Sequence, residues 1–171
     1  MKAFIIDYCI ILIYIGLLFG ATLIISKLLS LSLENLGPVV GQLIGFTTLT
    51  LPVILYFTLS ENSKYAGTIG KRNFDLQVVS GDLSKASFGQ LLTRNCVKFL
   101  PWELAHFFLF HLIHFNRTNV SPPDCILVGL IASQGLALIY ILLLLVNDNR
   151  SLYEFVSSTR VIRGSLDKTP A

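Results

Sequence analysis

Four long apolar runs, at about residues 4–29, 39–59, 97–115 and 125–146, constrain this chain more than any other feature. Each is close to or longer than the roughly 20 residues that a helix needs to cross about 30 Å of hydrocarbon. Hydrophobic residues make up 53% of the chain and charged residues only 13%, which leaves too little polar surface for a water-soluble domain. We therefore predict an all-α membrane protein whose four transmembrane helices form a single domain over residues 1–171.

The third run is the least regular, since it contains Lys98, Pro101 and Glu103. The basic residues test whether it spans the membrane, because lysine and arginine accumulate in short cytoplasmic loops. With four spans, 11 of the 13 basic residues share one face, and only Lys27 and Arg117 lie on the other. With three spans this asymmetry would be much weaker. The pattern favours a multi-pass protein of the cell (inner) membrane with both termini in the cytoplasm.

Two further features refine the individual spans. Lys2 precedes the first run, as in a signal peptide, but the apolar stretch exceeds the roughly 7–15 residues of a signal-peptide core. We expect a retained membrane anchor. Pro52 lies inside the second run, where it removes one backbone donor and is expected to kink the helix.

Two short segments of the polar connections favour β structure. Phe74–Val79 alternates apolar and polar residues before a turn, and Thr159–Ile162 in the tail has a similar tendency. Both segments lie on the predicted cytoplasmic face. A short β-hairpin-like element between them would need the membrane helices as support, because an isolated strand pair is only marginally stable.

The segment from Ser84 to Cys96 predicts a capped amphipathic helix that lies along the membrane interface. Basic residues near an anionic membrane surface add about 1 kcal/mol of binding each. We expect lipid-headgroup contacts from four such residues, Lys71, Arg72, Lys85 and Lys98. The lipid bilayer with its anionic headgroups is therefore an expected partner.

Several kinds of chemistry lack their motifs. The three cysteines, Cys9, Cys96 and Cys125, form no CxxC pair that would indicate a zinc site. The segment Gly67–Arg72 lacks the spacing of a phosphate-binding loop. No nucleophile with an adjacent base is apparent. We expect no metal, no cofactor, no nucleic-acid partner and no enzymatic activity.

Ionisable residues of the third run form a candidate site. On one helix, Glu103, His106, His111 and His114 fall within a sector of roughly 140°. Ionisable groups inside a membrane usually face a bundle interior or a wet cavity, and histidine titrates near neutral pH. Glu103 and His106 are therefore candidates for a proton or cation site. Alternatively, these residues lie at the two membrane interfaces, as Trp102 would in an aromatic belt.

A second carboxylate, Asp7, lies near the start of the first run. An arginine such as Arg72 or Arg94 could bind it as a structural anchor. We also expect Asp7 and Glu103 to lie at similar depth, which would allow both carboxylates to belong to one ion site. Metal binding by Glu103 and His106 is disfavoured, because no other predicted span supplies further ligands.

Polar positions recur along the chain in a characteristic order: Asp7; Gly67-Thr-Ile-Gly-Lys-Arg72 followed by Leu76–Val79; Arg94-Asn95; and Arg150-Ser-Leu-Tyr-Glu154 before Thr159 and Val161. This order resembles the RDD family of small bacterial membrane proteins. The resemblance assigns the family signature to seven residues here, Asp7, Gly70, Lys71, Arg94, Asn95, Arg150 and Glu154. Glu154 stands where the family typically has its second aspartate. The resemblance implies an integral membrane protein with a transport role, in some members cation/proton antiport.

Two functions from different classes remain open. The first is a small transporter or cation/proton exchanger that uses the intramembrane carboxylates and histidine, expected as a homo-oligomer because four helices leave little room for a path. The second is a membrane scaffold or accessory subunit that does not transport. It would dock an unknown membrane partner through its basic cytoplasmic face.

Overall fold

The computed structural model describes residues 2–30, 37–146 and 151–164, and the side chains of 144–146 are left aside. Four of the described helices are long and apolar enough to cross a membrane: Lys2–Leu28, Pro38–Asn62, Phe88–Arg117 and Asp124–Leu143. A small two-stranded sheet accompanies them. The predicted fold class, four apolar spans with a short strand pair, is therefore confirmed.

The described elements follow one another in this order: α1 (Lys2–Leu28), α2 (Pro38–Gly45), a π-helical turn (Phe46–Thr50), α3 (Leu51–Asn62), α4 (Ile69–Arg72), β1 (Leu76–Ser80), α5 (Phe88–Arg117), α6 (Asp124–Val146), α7 (Leu152–Val156) and β2 (Thr159–Arg163). The second span is built from α2, the π-helical turn and α3. We call α4, β1, α7 and β2 together the cap.

The second and third spans run antiparallel. Asn95, early in α5, bonds Glu61 at the end of α3, whereas Phe110, later in α5, lies against Gly41 near the start of α2. The start of α1 contacts the cap, since Asp7 accepts a hydrogen bond from the backbone of α4. The cap therefore covers one end of the helices, here called the cap end, and the opposite end is called the far end.

The two strands pair antiparallel, with Leu76 opposite Arg163 and Ser80 opposite Thr159. The inner side of β1 packs on the start of α5, where Val78 joins Ala86 and Leu91 in a small buried apolar cluster. The predicted strand pair is confirmed. Support by α5 supplies the packing that two isolated strands would lack.

The third span differs from prediction at its start. Helix α5 begins with a capping box between Ser87 and Gln90 and runs unbroken through Pro101 to Arg117. The segment predicted as a separate interfacial helix is therefore the first part of the third span. Four residues of this segment are buried, Ala86, Leu91, Arg94 and Asn95, and two of them are polar. Amphipathic spacing did not reveal this face, because its burial depends on polar partners in the cap.

The predicted irregularity at Pro52 takes the form of the π-helical turn that precedes it. In an α-helix the amide of residue 52 would donate to the carbonyl of Thr48, but proline has no N–H. The hydroxyl of Tyr14 in α1 donates to this carbonyl instead. The first span therefore satisfies a backbone group that the second span cannot satisfy alone.

The missing backbone donor at Pro101 in α5 is also replaced by a tyrosine hydroxyl from a neighbouring span. Its missing N–H would leave the carbonyl of Val97, four residues earlier, without a donor. The hydroxyl of Tyr140 in α6 donates to this carbonyl at 3.0 Å. Both prolines inside the spans are thus matched by a tyrosine from a neighbouring span, which joins α1 to the second span and α6 to α5.

A double-mutant cycle tests the link between Pro101 and Tyr140. Tyr140→Phe removes the donor to Val97 and is expected to lower the free energy of unfolding by about 1 kcal/mol. Pro101→Ala supplies a backbone N–H to the same carbonyl, so Tyr140→Phe should cost less in that background. Unfolding in mixed detergent micelles measures both effects. Equal losses of unfolding free energy in the two backgrounds would contradict the pairing. Tyr8→Phe, at an exposed position, is the control.

Candidate functional site

Glu103 lies in the middle of α5, and its half-buried carboxylate is bound by the second span. The hydroxyl of Thr50 donates to Oε2 at 2.6 Å, and the side-chain amide of Gln42 donates to Oε1. Residues eight apart on a uniform α-helix differ by about 80° in direction. The π-helical turn between Gln42 and Thr50 changes this rotation locally and lets both side chains reach one carboxylate.

Two polar atoms near this carboxylate are buried and lack hydrogen-bond partners in the described part of the chain, Gln42 Oε1 and His106 Nδ1. The His106 ring packs against Trp102, with 4.8 Å between ring centroids, and against Phe110. A buried unsatisfied polar group costs about 1–3 kcal/mol, so such groups are uncommon without a functional reason. We call Gln42, Thr50, Glu103 and His106 the Glu103 site.

The other two histidines of the third run lie outside this site. His111 Nδ1 is 2.8 Å from the carbonyl oxygen of Phe107 on the same helix, and the His114 ring contacts Phe115. They share the predicted face of α5 but lie about 12 Å and 16 Å beyond Glu103 along its axis. The structure thus keeps His106 beside Glu103 and separates His111 and His114 from it.

Asp7 is 3% exposed and receives hydrogen bonds from three donors of other elements. These are the hydroxyl of Thr68 at 2.5 Å, the backbone N–H of Gly70 at 2.9 Å and the hydroxyl of Tyr56 at 3.1 Å. The expected arginine partner was wrong, because neutral donors occupy the carboxylate. Arg72 instead donates to the carbonyl of Gly67 at 2.9 Å.

Gly70 explains how the cap approaches α1 so closely. A Cβ atom at this position would overlap the carbonyl oxygen of Ala3 and lie 2.9 Å from Asp7 Oδ2. Glycine is the residue that permits such backbone contact. Two signature positions, Asp7 and Gly70, are therefore one contact between the first span and the cap.

The expectation that Asp7 and Glu103 share one site was also wrong. Their partners on the second span, Tyr56 and Thr50, lie six residues apart, which is about 9 Å along a helix. Asp7 lies toward the cap end because the connection around Gly70 folds back onto it. The candidate ion site is thus divided: Asp7 joins the cap, whereas Glu103 and His106 remain deeper in the helices.

Arg94 is the centre of a second group of polar side chains and is 3% exposed. It donates to Glu154 in α7 at 3.0 Å and to the hydroxyl of Thr159 in β2 at 2.9 Å. Its guanidinium lies 4.9 Å from the ring centroid of Tyr153. Arg94 therefore attaches the C-terminal half of the cap to α5.

Glu61, which the sequence did not predict as a site residue, connects the N-terminal half of the cap to α5. Its Oε1 pairs with Lys71 Nζ at 2.5 Å, and its Oε2 accepts from Asn95 at 3.0 Å. Arg94 Nε lies 3.8 Å from the same Oε2. The sequence signal that could have identified Glu61 is a carboxylate within one helical turn after the second apolar run. We call Glu61, Lys71, Arg94, Asn95 and Glu154 the arginine cluster.

The arginine cluster balances its charges, with two carboxylates against one lysine and one arginine. Burial lowers the pKa of the Lys71 ammonium, and the Glu61 carboxylate opposes this shift. Burial likewise raises the pKa of the Tyr153 phenol, and Arg94 opposes that shift. Each carboxylate already has a cationic partner, so the cluster is arranged to hold elements together rather than to accept a further cation.

The residues expected at lipid headgroups divide in two. Lys71 belongs to the arginine cluster, and Lys98 Nζ lies 3.4 Å from the ring centroid of Phe57. Lys85 and Arg72 are both exposed, and the Arg72 guanidinium lies 4.2 Å from the ring centroid of Tyr65. Headgroup contact stays a prediction, with Lys85 and Arg72 the best placed for it. The signature residue Arg150 lies outside the described residues.

In the described ranges, no group of three or more His, Cys, Asp or Glu side chains is arranged to hold a metal ion. The cysteines Cys9, Cys96 and Cys125 are free and exposed. The Glu103 site offers a carboxylate, an amide, a hydroxyl and an imidazole group.

Removing Arg94 tests the arginine cluster. Arg94→Ala leaves two buried carboxylates without this partner and is expected to lower the free energy of unfolding by about 3–5 kcal/mol. Arg163→Ala, which removes an exposed arginine from β2, should change it by about 0.5 kcal/mol or less. Unfolding in detergent, followed by Trp102 fluorescence, measures both. Equal effects of the two substitutions would contradict the role given to Arg94.

The model of the RDD family matches residues 1–156. No match was found among curated proteins or solved structures. The matched region contains all four spans and the whole arginine cluster, so the chain belongs to the RDD family, whose members are small membrane proteins.

Proposed function

We propose that this protein is a small transporter that exchanges a cation for a proton across the cell membrane, with Glu103 as the exchanging group. The observation that carries the proposal is the contrast between the carboxylates. Glu61 and Glu154 are each paired with a cation, whereas the described partners of Glu103 are the neutral side chains of Gln42 and Thr50. Asp7 also has neutral partners, but three donors satisfy it, whereas Gln42 Oε1 and His106 Nδ1 beside Glu103 are buried without partners in the described part of the chain.

An uncompensated carboxylate in the middle of a span is costly when charged. It becomes neutral either by binding a proton or by binding a metal cation. Oxygen atoms of Glu103, Thr50 and Gln42 form the kind of ligand set that hard cations prefer. Because a bound proton and a bound cation would compete for the same carboxylate oxygens, one site can exchange the two.

His106 is the proposed proton relay of this site. It lies one turn after Glu103 on α5, and its Nδ1 is buried without a hydrogen-bond partner among the described residues. An imidazole accepts and releases protons near neutral pH. In this proposal His106 takes up the proton that leaves Glu103 when a cation binds.

The scaffold function has less support. Docking through basic side chains requires that they face outward. Lys71 and Arg94 are occupied within the arginine cluster, which leaves exposed residues such as Lys85 and Arg163 for such contacts. We also propose that the transporter acts as a homo-oligomer, because four helices leave little room for a path. Neither proposal requires enzymatic activity.

Glu103→Gln tests the proposed exchange. The substitution keeps the size and hydrogen-bonding capacity of the side chain but removes its charge. In proteoliposomes that contain a pH-sensitive dye, a pulse of sodium or potassium chloride should change the internal pH with the wild-type protein and not with Glu103→Gln. Asp124→Asn, at an exposed carboxylate at the start of α6, should retain the response. Full exchange by Glu103→Gln would overturn the proposal.

The proposed orientation places the cap in the cytoplasm. Most of the basic residues belong to the cap end, and such residues accumulate on the cytoplasmic side. Reporter fusions at the C-terminus and within residues 118–123 should report opposite faces, with the C-terminus inside. A C-terminus outside the cell would contradict this orientation.

A further inference from the structure

The face of α5 that carries Glu103 continues toward the far end through His106 and Phe110. At 100° per residue these three side chains fall within a sector of about 60°. Phe110 lies about 10 Å beyond Glu103 along the helix axis. Its ring contacts the ring of His106, with 6.4 Å between centroids.

The opposite side of the Phe110 ring lies against two glycines of α2. A Cβ atom on Gly41 would lie 2.9 Å from Phe110 Cδ1, and one on Gly45 would lie 3.2 Å from Cε2. Gly41 and Gly45 are one helical turn apart, so together they form a groove for this ring. The aromatic ring occupies the space where two ordinary residues would carry side chains.

This position separates the Glu103 site from the far end. The unpaired Nδ1 of His106 and Oε1 of Gln42 belong to the Glu103 site, and both atoms are buried. A packed phenyl group offers no hydrogen bonds and excludes water from the space that it fills. Removing the ring would therefore open a way for water between α2 and α5.

We infer that Phe110 is the gate on the far side of the Glu103 site. While the ring occupies the groove formed by Gly41 and Gly45, the site is closed toward the far end. When the ring leaves the groove, water and small cations reach His106 and then Glu103. This inference rests on the proposed function and adds the residue that controls access.

The cap end of the site is closed by other side chains. Lys98 lies over the ring of Phe57, and Phe57 packs against Phe99 with 5.5 Å between ring centroids. These residues come before Glu103 in α5 and after Thr50 in the second span. The two ends of the path are thus closed by different groups, as transport by alternating access requires.

Accessibility of position 106 to a thiol reagent tests the gate without measuring transport. His106→Cys is placed in a protein whose cysteines Cys9, Cys96 and Cys125 are replaced by serine. A membrane-impermeant maleimide is added to intact cells or to inside-out vesicles, so that each face is probed separately. Phe110→Ala should speed labelling from the far face by about tenfold. This increase corresponds to a loss of about 1.4 kcal/mol in the free energy that favours the closed state.

Matched variants distinguish opening of the gate from a general loss of helix packing. Leu109→Ala removes an exposed apolar side chain about 100° around α5 from Phe110 and should leave labelling unchanged. Gly41→Ala should displace the Phe110 ring and speed labelling, as Phe110→Ala does. Phe110→Leu, which keeps apolar volume, serves if Phe110→Ala does not fold, and should give a smaller increase.

The outcomes separate this inference from the function on which it rests. Equal labelling rates in Phe110→Ala, Leu109→Ala and the parent would overturn the gate, even if exchange depends on Glu103. Faster labelling in Phe110→Ala and in Gly41→Ala would support the gate. If the same proteins showed no exchange in proteoliposomes, Phe110 would remain a seal over a polar site and the proposed transport function would fail.

Discussion

The absence of water from the hydrocarbon core is the constraint on which this structure depends. Every backbone polar group at that depth needs a partner within the protein, and a side-chain polar group left without one is costly. Two prolines each remove a backbone donor, and Tyr14 and Tyr140 supply hydroxyl donors from adjacent spans. The cap and the helices meet through hydrogen-bonded and ion-paired side chains, together with the small apolar cluster that includes Val78 and Leu91.

Charge balance divides the polar groups into two kinds. In the arginine cluster, two carboxylates face two cations, and the pairs hold α3, α5 and the cap together. At Glu103, neutral side chains hold the carboxylate in place without neutralising it. In the first arrangement each carboxylate has a cationic partner, whereas the second leaves a charge that a ligand or a proton can balance. This difference is the physical basis for placing function at Glu103.

The sequence predicted the parts of the fold that depend on local pattern. Apolar length located the four spans, and alternation located β1 and β2. Local pattern could not predict that Glu61 is buried or that Lys71 turns inward, because both depend on pairing between distant segments. The depth of Asp7 was misjudged for the same reason, since Gly70 brings the cap onto α1 only in the folded chain. Glu103 and His106 were found from sequence, but Gln42, Thr50 and the π-helical turn were not.

The bond between Tyr140 and Val97 also bears on how the protein is made. When α5 first enters the bilayer, it carries a carbonyl without a donor and a carboxylate in mid-span. The partners of Glu103 are in the second span, which is synthesised earlier, but the partner of Val97 is in α6, which follows. The third span is therefore complete only after the fourth has been synthesised. This order favours insertion of α5 and α6 as a pair, and the tyrosine hydroxyl then fixes the vertical register at which the two helices come to rest.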